Sequence, residues 1–403
     1  MRSQRASKDS HPTTKLTSLS DTVRTEGFGW LIRRLRYRTP ISRSGRYIHR
    51  QLRRVIGLLL AIPRAALRQF GKTEAMNSDS LYAFFDLQVA PITYDVGWFA
   101  AAADRMRRQK NLARIHFVIV PGNTNGFREE RAAYESVVDT SARLWRLYNV
   151  VLPILTLVPA YSGLSLLPHR DAVRSLRATA GNRVYPSDYE PGLPVAHLPV
   201  ELLQSPPCQD EEIGILRSPL QAMRYIERWM APRLSGRKLV TITLRNYAFM
   251  PARNSNTEAW IAFARRLDST KYLPLFVLDT ERTLDPLPDI FSGFEVLREA
   301  SWNVWLRMAL YESSHVNLGV NNGPLFTCAL NARTRLLIFK IITPSVPQTT
   351  EELMSKLGFE IGGQLPFATP FQRLIWEDDT LGTIEREFYR LATEIESGND
   401  GKP

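Results

Sequence analysis

The residues whose types and spacing carry most chemistry are Gly319-Val320-Asn321-Asn322-Gly323-Pro324. Glycine lets a backbone come close to a ligand, and proline suits the first position of a following helix. The start of such a helix aims N–H groups and a partial positive charge at whatever lies before it, which suits a phosphate. Arg245 ends the β-branched run Thr241-Ile242-Thr243-Leu244 and is expected to add a charged, two-pronged contact to the same group. Asp279, Thr280 and Glu281 follow the apolar run Leu273-Pro274-Leu275-Phe276-Val277-Leu278 and offer polar atoms beside it. A capping turn and an arginine in a surface ion pair explain these residues taken singly. Their recurrence at successive strand ends points to one shared site.

Those ends share an edge only if the strands are parallel. From 218 to 376 helices and strands alternate. The helices run Ser218 to Ala231, Glu258 to Leu267, Ala300 to Tyr311 and Leu325 to Asn331. The strands run Lys238 to Arg245, Leu273 to Asp279, His315 to Val320 and Leu336 to Ile341. Such alternation predicts a parallel sheet with ligands at the carboxyl ends of its strands. The region 78–190 repeats the theme. It has an apolar run Leu81 to Asp86, a loop holding Pro91 and Asp95, a helix Trp98 to Gln109 and a strand Ala113 to Pro121. A long helix is expected from Arg128 to Tyr148 and a strand from Val150 to Pro159. Between them, Gly122, Asn123, Asn125 and Gly126 suit positive φ and can present backbone amides to a ligand, or form an ordinary strand-to-helix turn. The prolines in 191–217 mark a linker. The segment 377–403 reads as a C-terminal helix and tail that could cross back to the first domain.

The net charge of +12 is concentrated in one place. Residues 1–75 hold 17 Lys/Arg and 4 Asp/Glu, which leaves 35 and 36 for the rest. A neutral body with a basic tail argues against a nucleic-acid groove through the fold. The tail begins as a polar, disorder-like stretch without the apolar core of a signal peptide. Further on, Trp30-Leu31-Ile32-Arg33-Arg34-Leu35-Arg36-Tyr37-Arg38 and the uncharged run Val55 to Pro63 follow. That run is far short of the roughly 20 residues that span a bilayer. Residues 30–70 suit the surface of an anionic membrane instead, or a helix packed on the body with its arginines in solvent. Cys208 and Cys328 make neither a disulfide framework nor a metal-ligand spacing. Phosphate-loop, dinucleotide and Gly-x-Ser-x-Gly signatures are absent from the sequence.

Val320-Asn321-Asn322-Gly323-Pro324-Leu325 resembles the Asn/Asp-x-Gly-Pro turn of GT-B glycosyltransferases, most nearly the heptosyltransferase-like group. Thr241 to Arg245 is similar to the strand that enters their donor loop. The resemblance implies an α/β fold of two Rossmann-like domains facing across a cleft, behind a basic N-terminal extension. It implies metal-independent transfer of a sugar from a nucleotide-sugar to a glycan or lipid-linked acceptor at the cytoplasmic membrane face. The nucleotide-sugar is a co-substrate, and no cofactor, metal or nucleic-acid partner is expected. In that family an acid in the loop after the first strand acts as base toward the acceptor hydroxyl. Here this is Asp95, within Thr93-Tyr94-Asp95-Val96-Gly97, a stretch that departs from the family's usual loop. Asp86 is the alternative acid, and a structural role is open to both. The donor is expected at Arg245, Asp279, Thr280, Glu281, Asn321, Asn322, Gly323 and Pro324, and the acceptor along Gly122, Asn123 and Asn125. A non-catalytic, membrane-tethered binding or scaffold protein with a vestigial cleft fits the same residues.

Overall fold

The computed structural model describes residues 79–194, 200–203, 212–280 and 283–398. The chain divides into two units, Met1–Ala75 and Met76–Pro403, and the described residues belong to the second. The basic segment 30–70, Cys208 and Glu281 lie outside the described residues.

Two parallel sheets carry the fold. The first has the order β3-β2-β1-β4, from β1 (Ser80–Asp86), β2 (Arg114–Val120), β3 (Tyr161–Leu166) and β4 (Val184–Tyr185). The second has the order β10-β9-β8-β5-β6-β7. Its strands are β5 (Lys238–Thr243), β6 (Tyr272–Val277), β7 (Glu295–Val296), β8 (Val316–Val320), β9 (Leu336–Phe339) and β10 (Gln372–Leu374). Lys238 pairs with Tyr272 and Thr243 with Val277 across β5 and β6, while Thr243 also pairs with Gly319 of β8. This register ends the three central strands at one level, so the loops after Thr243, Val277 and Val320 emerge side by side, as the pattern predicts.

Strands buried on both faces read as near-continuous apolar runs, and β1 does so. Leu81, Ala83 and Phe85 join Ile115, Phe117 and Ile119 on one face, while Tyr82 and Phe84 join Val118, Val173 and Val184 on the other. The first of these clusters does not stop at its own sheet. It continues through the helix Val96–Gln109 to Leu325, Leu330, Leu336 and Ile338 of the second half. The two sheets are therefore separate, but one apolar core is continuous between them. On the second sheet, Val240, Ile242, Phe276 and Leu318 meet the helices Thr257–Arg266 and Leu381–Glu396 on one side. Leu239, Leu275 and Val277 meet the helices Leu220–Leu234 and Val304–Ser313 on the other.

The structure departs from the sequence pattern in several places. The long helix expected from Arg128 to Tyr148 is two short ones, Ala132–Glu135 and Thr140–Arg146, the second started by Asp139, whose carboxylate accepts the Ala142 amide at 2.7 Å. Val150 to Pro159 is not a strand: the chain runs through the helix Thr140–Arg146, a π-helical turn Leu147–Val151 and the helix Leu152–Leu155, and β3 follows at Tyr161. A short apolar run does not distinguish strand from buried helix. Here Val150, Val151, Ile154 and Leu155 recur at helical spacing and are all buried, and Pro153 sits in a first turn, where its missing N–H is no loss. The expected helix Ala300 to Tyr311 is broken at Asn303, whose carboxamide accepts the Leu306 amide at 3.1 Å and caps the helix Val304–Ser313. The C-terminal helix does not cross back to the first sheet. Its stripe Ile384, Phe388, Leu391 and Ala392 is buried with the second sheet, where the Phe388 ring lies 5.2 Å from both Phe263 and Tyr272. No described helix is long and apolar enough to cross a membrane.

Truncating a fully buried aromatic removes its transfer energy and leaves a cavity. Phe388→Ala is therefore expected to destabilise the protein by about 3–5 kcal/mol in urea titrations followed by circular dichroism. A change near zero would mean that the C-terminal helix is not part of the core.

Candidate active site

The carboxyl ends of β5, β6 and β8 open on a cleft of about 660 Å³. Its other wall comes from the first half, where Thr93, Tyr94 and Asp95 precede the helix Val96–Gln109 and Tyr134, Trp145 and Arg146 stand at the side. The turn after β8 forms the floor between the walls. A Cβ on Gly323 would meet Tyr94 Cβ at 2.6 Å, so only glycine lets this turn approach the opposite wall so closely.

Asp95, Arg245, Asp279, Thr280, Asn321, Asn322, Gly323 and Pro324 all line this cleft. Gly122, Asn123 and Asn125 do not. Gly122 donates to the Gly126 carbonyl at 2.8 Å and the Phe127 amide donates to Thr124 O at 2.9 Å, which closes a tight turn with Asn123 and Asn125 exposed. A Cβ on Gly122 would fall 2.3 Å from Phe127 O. That glycine is required by its own turn, which lies outside the lining of the cleft. Asp86 is likewise committed. Arg170 pairs with both its oxygens at 2.7 and 2.9 Å, and Tyr189 Oη donates at 2.7 Å.

Asp95 differs from Asp86 in having little to hold it. It occupies the N-cap of the helix Val96–Gln109 without capping it, and Thr93 Oγ1 donates to its carboxylate at 2.8 Å. The side chain is exposed to the cleft, with the two walls of protein on either side of it. That desolvation raises its pKa above the ordinary aspartate value of 3.8, against the opposing pull of Thr93, Arg253 and Arg128. Asp279 is shifted in the same direction by burial, partly offset by the Asn246 amide and by Arg307 and Arg245.

The positive charge is placed differently from what the motif suggests. Asn322 accepts the Leu325 amide at 3.0 Å and Pro324 has no N–H, so the helix Gly323–Ala329 begins with its amides largely taken. Asn321 is tied to Ile341 O at 2.7 Å, and Thr280 Oγ1 to Ser301 O at 2.7 Å. Arg245 reaches the cleft but is bound into its own loop by Met250 O at 3.1 Å, Phe249 O at 2.6 Å and the Asn254 side chain. Arg253 stands nearest to the turn. Its Nη2 donates to Asn321 O at 3.2 Å, and its Nε is buried with no hydrogen-bond partner. Burial and the neighbouring Arg245 push its pKa down to about 10, against the pull of Asp95. Arg253 and Arg307 are what the motif search missed. An arginine amid Val304, Met308 and Tyr311 on a buried helix was the available signal for Arg307. Among the described residues the cleft is lined by Arg146, Arg245, Arg253 and Arg307 against Asp95 and Asp279, and no described cluster of His, Cys, Asp or Glu would hold a metal ion.

Contacts from the second half also reach over the cleft. Arg146 Nη2 donates to Tyr247 Oη at 2.7 Å, and the Tyr134 and Phe249 rings meet edge-on at 5.3 Å. Both partners lie on the loop that Arg245 organises.

A raised aspartate pKa means that the folded state holds the proton more tightly than the unfolded chain. Its contribution is unfavourable above the folded pKa and vanishes below the unfolded one. Asp95→Asn is thus expected to raise the melting temperature at pH 7, with the gain shrinking as pH falls toward 3.8 and below. A loss of stability at pH 7 would show instead that the carboxylate holds the fold together.

No protein-family model matches the chain, and no curated protein matches it. Among solved structures it is similar to the E. coli ADP-heptose lps heptosyltransferase II, at 11% identity and a TM-score of 0.47 over 78% of this chain and 99% of that one. It is similar to a glycosyl transferase family 9 protein from Veillonella parvula, at 10% identity and a TM-score of 0.45 over 79% and 91%. It is also similar to the E. coli heptosyltransferase WaaC with ADP, at 9% identity and a TM-score of 0.37 over 78% and 99%.

Proposed function

We propose that the protein is a glycosyltransferase that moves a sugar from a nucleotide-sugar donor to a glycan or lipid-linked acceptor at the cytoplasmic face of a membrane. One observation carries this reading: Asp95 on one wall and Arg253 on the other look onto the same Asn321-Asn322-Gly323-Pro324 turn in a single cleft. A carboxylate with a raised pKa is matched to taking a proton near neutral pH. In the proposed step Asp95 takes the acceptor hydroxyl proton as that oxygen bonds to the anomeric carbon. The bond from that carbon to the diphosphate oxygen breaks, and its electron pair leaves with the diphosphate. Arg253, partly desolvated and with a free Nε, receives the developing negative charge, where a preorganised cation counts for most. Arg245 orders the loop that carries Arg253, and Asp279 and Thr280 flank the nucleoside side.

Donor binding and catalysis separate experimentally. In thermal-shift titrations with nucleoside diphosphates and nucleotide-sugars, Arg253→Ala is expected to weaken stabilisation roughly 10–100-fold, the loss of a charged hydrogen bond of about 1.5–3 kcal/mol. Asp95→Asn is expected to keep the thermal shift and to lose about 10²–10⁴-fold in transfer rate. Full activity in Asp95→Asn would remove it as the base. A chain that responds to no nucleotide would be the non-catalytic binding protein instead.

A further inference from the structure

We infer that the outer face of the helical run Thr140–Leu155, beside the cleft mouth, is the surface by which the folded body inserts into a lipid bilayer. This rests on the membrane reading above and adds to it the part of the body that makes contact. Leu144, Trp145 and Tyr148 are 50%, 41% and 52% exposed. They lie at i, i+1 and i+4 on one run, where i,i+3 and i,i+4 neighbours share a face. Near the far end of the run Trp305, 41% exposed, donates its indole N–H to Thr156 Oγ1 at 2.9 Å, which holds another aromatic ring at the same flank.

The type of residue selects the occupant. Tryptophan and tyrosine carry an apolar body and a polar tip, which places them at the boundary between headgroups and acyl chains. Leu144 and Tyr148 are exposed on the helix and, unlike Trp145 and Arg146, do not line the cleft, so this face is no extension of that groove. Three half-exposed side chains also fall well short of the roughly 800 Å² per partner of a specific protein interface. Shallow insertion needs far less area when a second, electrostatic attachment acts with it. The same chain carries 17 Lys/Arg against 4 Asp/Glu in residues 1–75, the composition that an anionic leaflet attracts. Because Trp145 and Arg146 of this run also line the cleft, docking here would bring the active-site mouth to an acceptor held in the membrane.

The full-length chain tests this by flotation with phosphatidylcholine vesicles, with and without phosphatidylglycerol. Leu144→Gln/Tyr148→Gln is expected to bind both kinds about tenfold more weakly with an unchanged melting temperature. Leu144→Trp is expected to bind more tightly, a gain that a folding defect cannot produce. If wild type floats and neither variant differs from it, the surface is overturned while a tail-borne membrane reading stands. If wild type floats with neither vesicle, the membrane reading and this surface fall together.

Discussion

The packing of one helix, Val96–Gln109, between the two sheets is the constraint on which the site depends. Nearly all of its first two turns is buried, from Val96 to Asp104. Trp98 lies 5.8 Å from Phe326 and 5.9 Å from Phe367, rings that belong to the second half. A Cβ at Gly97 would stand only 3.1 Å from Leu330. Close-packed interiors transmit position with little slack, so this helix sets the distance from Asp95, at its N-terminus, to the turn beneath it. The core that joins the halves and the cleft that separates them are thus two ends of one packing arrangement.

Around that geometry the polar groups divide by whether their hydrogen bonds are already used. Asp86 and Arg245 are satisfied by Arg170 and Tyr189 in one case and by loop carbonyls in the other. Both are structural in the sense that matters energetically, since stripping a buried charge of its partners is expensive. Asp95 and Arg253 are less completely satisfied, and both have pKa values shifted toward their neutral forms by desolvation. Strained electrostatics of this kind is tolerated where a ligand is to supply the missing partner.

The errors of the sequence pattern have specific physical sources. Val150 to Pro159 is apolar and rich in β-branched residues, which reads as a strand; the competing helical spacing of Val150, Val151, Ile154 and Leu155 prevails because it buries all four against the core. Arg245 and Arg253 lie eight residues apart on one loop and are identical in side chain. Which of them faces the turn follows from the folding of the loop onto Met250 and Asn254. The glycines of 122–126 show the opposite case, where residue types that suit a ligand serve the backbone of their own turn.

The sequence by itself determined the alternation of strands and helices, hence the parallel sheets, and the edge at which Arg245, Asp279 and Asn321 emerge. Periodicity and β-branching are local signals, and register in a buried parallel sheet follows from them. It also determined the concentration of positive charge in the first 75 residues. Only the tertiary structure decided which acid stays unpaired, which arginine reaches the turn, and that the two halves share one core. Those outcomes depend on contacts between residues far apart in the chain, such as Asp86 with Arg170 and Arg253 with Asn321. No short window of sequence contains both partners.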